Sequence, residues 1–142
     1  MILVDANLLL YAHDAGSKDH RRAVKWLEEL VSRPSIVGVS WETILAFLRI
    51  TTHPRILLEP YQLGEAIEIV TSWLARPNVA IVSPTEQHWL VLSKLLPKTR
   101  IRGSLIMDAH LAALAIEHGA TLYTNDRDFA RFPELNVEYP LQ

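Results

Sequence analysis

Apolar residues recur along this chain in two alternating rhythms, short unbroken runs and longer stretches at helical spacing. Residues 2–4 (Ile-Leu-Val) form a run that closes at Asp5 and reads as a buried strand. Ala23, Val24, Leu27, Leu30 and Val31 predict an amphipathic helix over 20–31. Residues 36–39 predict a second strand, and Ser40 is placed to cap a helix that runs to about residue 50 and is stopped by His53-Pro54. Leu63, Ala66, Ile67, Val70 and Leu74 mark a further helix, ended at Arg76-Pro77, and residues 79–82 a third strand. Ser83-Pro84-Thr85-Glu86 combines a capping Ser, Pro at the first helical position and Glu three residues after the Ser, so a helix is expected to start at Pro84. Ser104 is expected to cap a helix reaching His118 and stopping at Gly119. A strand over 121–124, a short helix over 126–132 capped by Asn125, and a last strand over 137–139 complete the pattern.

Apolar strands alternating with helices imply an α/β fold, a parallel sheet covered on both faces, with the functional site at the carboxyl ends of the strands. No repeat, low-complexity tract or linker divides the chain, so one domain over residues 1–142 is expected. The 142 residues are 49% hydrophobic and 21% charged, a balance that excludes a disordered chain. The lack of cysteine excludes disulfides, Cys-ligated zinc, iron–sulfur clusters and thiol nucleophiles. No apolar run approaches the ~20 residues of a membrane helix. The first residues carry Asp5 and lack a basic leader, so a soluble cytoplasmic protein is expected.

Most acids, among them Glu28, Glu29, Glu65, Glu68 and Glu117, fall on faces expected to be polar. Asp5, Glu42, Asp108 and Asp126 do not. Asp5 lies between an apolar strand and the helix Ala-Asn-Leu-Leu-Leu-Tyr-Ala, and Glu42 begins a helix that is apolar nearly all round. Asp108 shares a helix face with Leu111, Ala112 and Ala115, and Asp126 directly follows a strand. Burying unpaired carboxylates costs several kcal/mol each. A hard divalent cation removes that cost, because it takes oxygen ligands and offsets their repulsion. Each acid also has an ordinary role: Asp5, Asp126 and Asp128 as caps, Asp108 near a helix amino end, Glu42 paired with Arg49. Three of them converge at strand ends in a parallel sheet, and together they point to a metal site.

The ordered segments VDANLLLYA, HRRAVKWLEEL, SWETILAFLRI and MDAHLAALAIEHGATLYTNDRDFARF resemble the PIN-domain nucleases, and more closely the VapC toxins of type II toxin–antitoxin pairs. The likeness runs almost end to end, and LARPNV…PTEQHW is typical of the mycobacterial-type branch. It implies a PIN-like three-layer fold in which Asp5, Glu42, Asp108 and Asp126 face one acidic pocket holding Mg²⁺ or Mn²⁺. Asp108 is brought to the other acids by this resemblance and not by its spacing. Asn7, Thr124 and Asp128 match supporting positions, and Asn125 stands where the family often has Ser or Thr. The implied activity is metal-dependent endoribonuclease action on a cellular RNA such as tRNA or rRNA, inhibiting translation. A cognate VapB-like antitoxin and a homodimer are implied as well.

Lys98, Arg100 and Arg102 form the only local basic cluster, expected either to contact RNA phosphates or to be a solvated loop. The formal charge of −2 does not oppose an RNA partner: setting aside Asp5, Glu42, Asp108, Asp126 and Asp128 leaves 11 of the 16 acids against 14 basic residues, or +3. His13, His20, His53, His88, His110 and His118 show no paired ligand spacing, so no zinc site is expected. Trp26, Trp41, Trp73 and Trp89 are expected in the core, with Trp41 alternatively part of a partner surface. Three rival readings remain: a binding module with an idle site, a haloacid-dehalogenase-like phosphatase, which wants Asp where Asn7 stands, and a metal-independent ribonuclease using paired histidines.

Overall fold

In the computed structural model, which describes residues 1–100 and 103–142, the run Ile2–Val4 becomes the central strand β1 of a five-stranded sheet. On one side β1 pairs with β2 (Val37–Ser40), which pairs in turn with β3 (Val79–Val82). On the other side it pairs with β4 (Thr121–Tyr123), which pairs with β5 (Val137–Glu138). Every pairing is parallel and the order is β3-β2-β1-β4-β5. The helices α1 (Ala6–Ala12), α2 (His20–Val31), α3 (Trp41–Thr51), α4 (Leu63–Leu74), α5 (His88–Leu95) and α6 (Gly103–Glu117) supply the covering layers.

Alternation along β1 divides the core. Ile2 and Val4 join a cluster with Leu8, Leu30, Phe47 and Val70 from α1 to α4. Leu3 points the opposite way, into a cluster with Leu95, Leu114, Leu122 and Phe129. This three-layer α/β arrangement is the fold class expected from the alternating pattern. The chain lays down β1, β2 and β3 in one direction and then returns through α5 and α6 to place β4 beside β1. The order therefore reverses at the carboxyl ends of β1 and β4, where parallel sheets open a crevice.

Local chemistry accounts for most of the boundaries. Ser40 caps α3 by accepting from the Thr43 amide at 3.1 Å. Gly119, at φ 64°, ends α6, with the Ala120 amide donating back to the Ala115 carbonyl at 2.8 Å. Other boundaries differ from expectation. The Ser83-Pro84-Thr85-Glu86 segment is not helical, and α5 starts only at His88. There the Glu117 carboxylate takes the Thr85 amide at 2.7 Å and the Thr85 hydroxyl takes the Gln87 amide, so a distant side chain outcompetes the local box. Ser104 lies inside α6 and not at its cap. The short helix after β4 is a 3₁₀ turn over Arg127–Arg131, capped by Asp126 in place of Asn125. Trp26 is buried as expected, whereas Trp41 and Trp89 are exposed.

Gly38 sits where β2 is squeezed between β1 and β3, opposite Leu3 and Ala80. A Cβ there would lie 2.5 Å from Val82 Cγ2, and the β-branched Val82 has little rotamer freedom to retreat. Gly38→Ala is expected to destabilise the fold by about 1–3 kcal/mol through overpacking, measured as a lower urea midpoint. A midpoint equal to that of the parent would show that the strand spacing yields.

Candidate metal centre

Asp5 follows β1 directly, and its amide donates to the Tyr123 carbonyl at the end of β4, which ties the two strand ends together. Its carboxylate accepts from the Thr124 hydroxyl at 2.7 Å. Thr124 is fully buried, and its oxygen also accepts from the Asp126 amide at 3.0 Å and from Asn7 Nδ2 at 3.2 Å. One donor and two lone pairs are thereby all used. Asn7 Oδ1 in turn accepts from the Asn125 amide. This network fixes the loop after β4 against the start of α1, and places Asp126 beside Asp5.

Asp108, in the second turn of α6, closes the group. Asp108, Asp126 and Asp128 each offer a carboxylate oxygen within 4.8 Å of the others. Asp5 lies outside that triple but near enough to act on it electrostatically. Burial, then the charges of Asp126, Asp5 and Asp128, push the Asp108 carboxyl up to about 6, and Arg131 offsets this only in part. Burial also raises Asp5, against the pull of its hydrogen bond from Thr124. Arg131, 3.6 Å from Asp128, compensates these carboxylates only in part, and they form a set of oxygen donors suited to a hard divalent ion.

Glu42 behaves differently. It does not pair with Arg49; its Oε1 lies 3.0 Å from Nε2 of His110 on α6. Glu42, Arg49 and His110 line, with Asp5, Asp108 and Met107, an open cavity of about 440 Å³. Asp126 and Asp128 are not among the residues lining it. Arg49 has no ion pair or hydrogen bond among the described residues, so a guanidinium stands free beside the acids.

Lys98 is engaged by Glu134, with contacts of 2.8 and 3.1 Å. Arg100 is exposed at the left-handed φ of 51°, and Arg102 lies outside the described residues. The sequence pattern does not bring His88, His110 and Glu117 together, and the structure does. Glu117, expected on a polar face, has a side chain only 1% exposed and accepts from His88 Nδ1 at 2.8 Å. No spacing signals this contact, because His88 and Glu117 lie on different helices and meet only when α5 packs on α6.

Residues 2–135 match the PIN domain profile. Ribonuclease VapC37 of Mycobacterium tuberculosis is 39% identical over 140 residues, covering 99% of this chain and 97% of the relative. Among solved structures, VapBC2 from Rickettsia felis, bound to a DNA fragment from its promoter, superposes with a TM-score of 0.67 at 22% identity, covering 97% of this chain and 98% of that one. Mycobacterium tuberculosis VapC20, a toxin that cleaves the sarcin–ricin loop, gives 0.68 at 19% identity, covering 92% and 93%. The chain belongs to the PIN-domain family, among its VapC-type ribonucleases.

The raised Asp108 carboxyl has a stability consequence. Its folded pKa lies above the unfolded value of 3.8, so its favourable contribution is complete below that value and is lost as pH rises through about 6. In metal-free protein, Asp108→Asn is therefore expected to gain stability over the parent progressively between about pH 4 and 6, with a plateau above. Urea midpoints of both proteins in EDTA across pH 4–7.5 measure this, and a pH-independent difference would contradict it.

Proposed function

We propose that this chain is a divalent-metal-dependent endoribonuclease, the toxin of a type II toxin–antitoxin pair acting on a cellular RNA such as tRNA or rRNA. The observation that carries the reading is the approach of Asp108, Asp126 and Asp128 within 4.8 Å beside Asp5, at the reversal point of the sheet. Asp5, Asp108 and Asp126 would be the principal ligands of Mg²⁺, with Mn²⁺ as a substitute. Asp128 supports them, and Glu42 either joins them or orients the attacking water. A bound divalent ion supplies activation of water and neutralisation of charge on the phosphate oxygens and leaving group.

The remaining chemistry belongs to the chain. Thr124 holds the Asp5 carboxylate from behind, and Asn7 holds the loop that carries Asp126. Arg49, on the wall of the cavity, offers a guanidinium to a substrate phosphate. Lys98, Arg100 and Arg102 are a second place for RNA backbone contacts, with Lys98 first leaving Glu134.

Partners follow from the surface near the acids. Leu45 and Met107 line the cavity yet are 60% and 53% exposed, and Trp41 nearby on α3 is 50% exposed. An apolar rim around an acidic pocket suits a VapB-like antitoxin that inserts an Arg or Lys among the carboxylates. The Rickettsia felis VapBC2 structure supports an antitoxin partner, and relatives named ribonucleases support the nuclease activity. Among the described residues no helix is long and apolar enough to cross a membrane. A cytoplasmic homodimer is expected from the family resemblance.

Asp5→Asn and Asp108→Asn should each reduce RNA cleavage to background while the circular dichroism spectrum stays that of the parent. EDTA should abolish cleavage by the parent, and added Mn²⁺ should restore it. Full cleavage by both variants would remove the metal-site reading. A parent protein that binds RNA and cuts none would favour a binding module with an idle site.

A further inference from the structure

Four side chains form a line from the interior of the α5–α6 contact to the cavity. Glu117, the last residue of α6, accepts the Thr85 amide on Oε1 at 2.7 Å and His88 Nδ1 on Oε2 at 2.8 Å. His88 Nε2 lies 2.9 Å from Nδ1 of His110, the two rings meeting edge-on at 80°. His110 Nε2 is buried and lies 3.0 Å from Glu42 Oε1, at an angle short of a hydrogen bond. Exposure rises steadily along the line, from 1% for Glu117 through 14% for His88 and 17% for His110 to 40% for Glu42.

We propose that His88 and Glu117 are positioning residues that hold His110 in one ring orientation, so that His110 sets the pose of Glu42 at the cavity wall. This rests on the reading of Glu42 as part of the metal site. Glu117 Oε2 and His88 Nδ1 lie 2.8 Å apart inside the α5–α6 contact, so the tilt of the His88 ring is fixed from the interior. His88 then meets His110 with its opposite nitrogen. Glu117 and His110 are seven residues apart on α6, two turns along one face, so a single helix carries both ends of the support. Glu42, half exposed on another helix, has no other hydrogen-bond or ion-pair partner among the described residues. Partners of this kind behind a metal ligand typically contribute 10–100-fold in affinity or activity, by removing ligand poses that do not bind.

The test separates positioning from packing. His88→Phe keeps the ring's bulk and removes both polar contacts, whereas His88→Gln loses bulk but keeps a polar atom for His110. His110→Asn keeps the contact toward His88 and cannot reach Glu42. Mn²⁺ is titrated into each metal-free protein and the free ion is followed by electron paramagnetic resonance. His88→Phe and His110→Asn are expected to weaken Mn²⁺ binding about tenfold, and His88→Gln to recover most of the loss. In a Glu42→Gln background, His88→Phe is expected to add no further loss, because the two changes act through one side chain. Parent-like affinity in both His88→Phe and His110→Asn overturns the proposal, as does His88→Gln binding more weakly than His88→Phe, which marks a packing role. A parent that binds no Mn²⁺ overturns the metal-site reading itself, and the positioning role with it.

Discussion

Like charges are brought together here, and the burial of Asp5 and in part of Asp108 weakens the screening that water would give them. The parallel sheet sends β1 and β4 side by side toward one edge, and the residues just beyond their ends are Asp5 and Asp126. α6 then adds Asp108 and the turn after β4 adds Asp128. At such separations repulsion is weak in bulk water and much stronger where the surroundings are apolar. Burial first, and then the charges of Asp126, Asp5 and Asp128, push the Asp108 carboxyl up to about 6. A fold of ordinary stability can tolerate only a few such groups.

The surrounding structure contains that repulsion without dispersing the charges. Thr124, wholly buried, spends its single hydroxyl hydrogen on Asp5 and both lone pairs on donors, the Asp126 amide of its own loop and Asn7 Nδ2 on α1. A polar group so completely satisfied orders its neighbours, and a partly satisfied one would destabilise them. Arg131 offers the nearest cationic relief to Asp108, and it is incomplete. The acids are thus held in a hydrogen-bonded frame with their charge only partly offset, a donor set that fits a divalent cation.

The second helical layer contributes in a different way. α5 and α6 meet through the apolar residues that flank Leu95 and Leu114, but also through a buried carboxylate and two imidazoles. An apolar contact would join the helices as well, without the cost of desolvating Glu117. The polar chain adds direction, because hydrogen bonds fix ring orientation where apolar packing leaves it adjustable. Glu42 stands at the end of that chain and faces the same cavity as Asp5 and Asp108.

Much of this was legible in the order of residues alone. The runs at 2–4 and 79–82 became β1 and β3 unchanged, the helix over 20–31 kept both its limits, and Ser40 capped α3, because these features depend on neighbours within one helical turn or one strand. Asp5, Glu42 and Asp126 also stood out, since an acid at an apolar strand end is conspicuous without any tertiary contact. The supposed cap at Ser83 failed because Glu117, more than thirty residues away, takes the Thr85 amide. Asp128 joins the acids more closely than expected, and Glu42 turns from Arg49 to His110. The sequence determined the strands, most helix limits and the acids at strand ends. Only the tertiary structure decided which acids share a site and what supports them, because repulsion and hydrogen bonding act through distances that chain order does not encode.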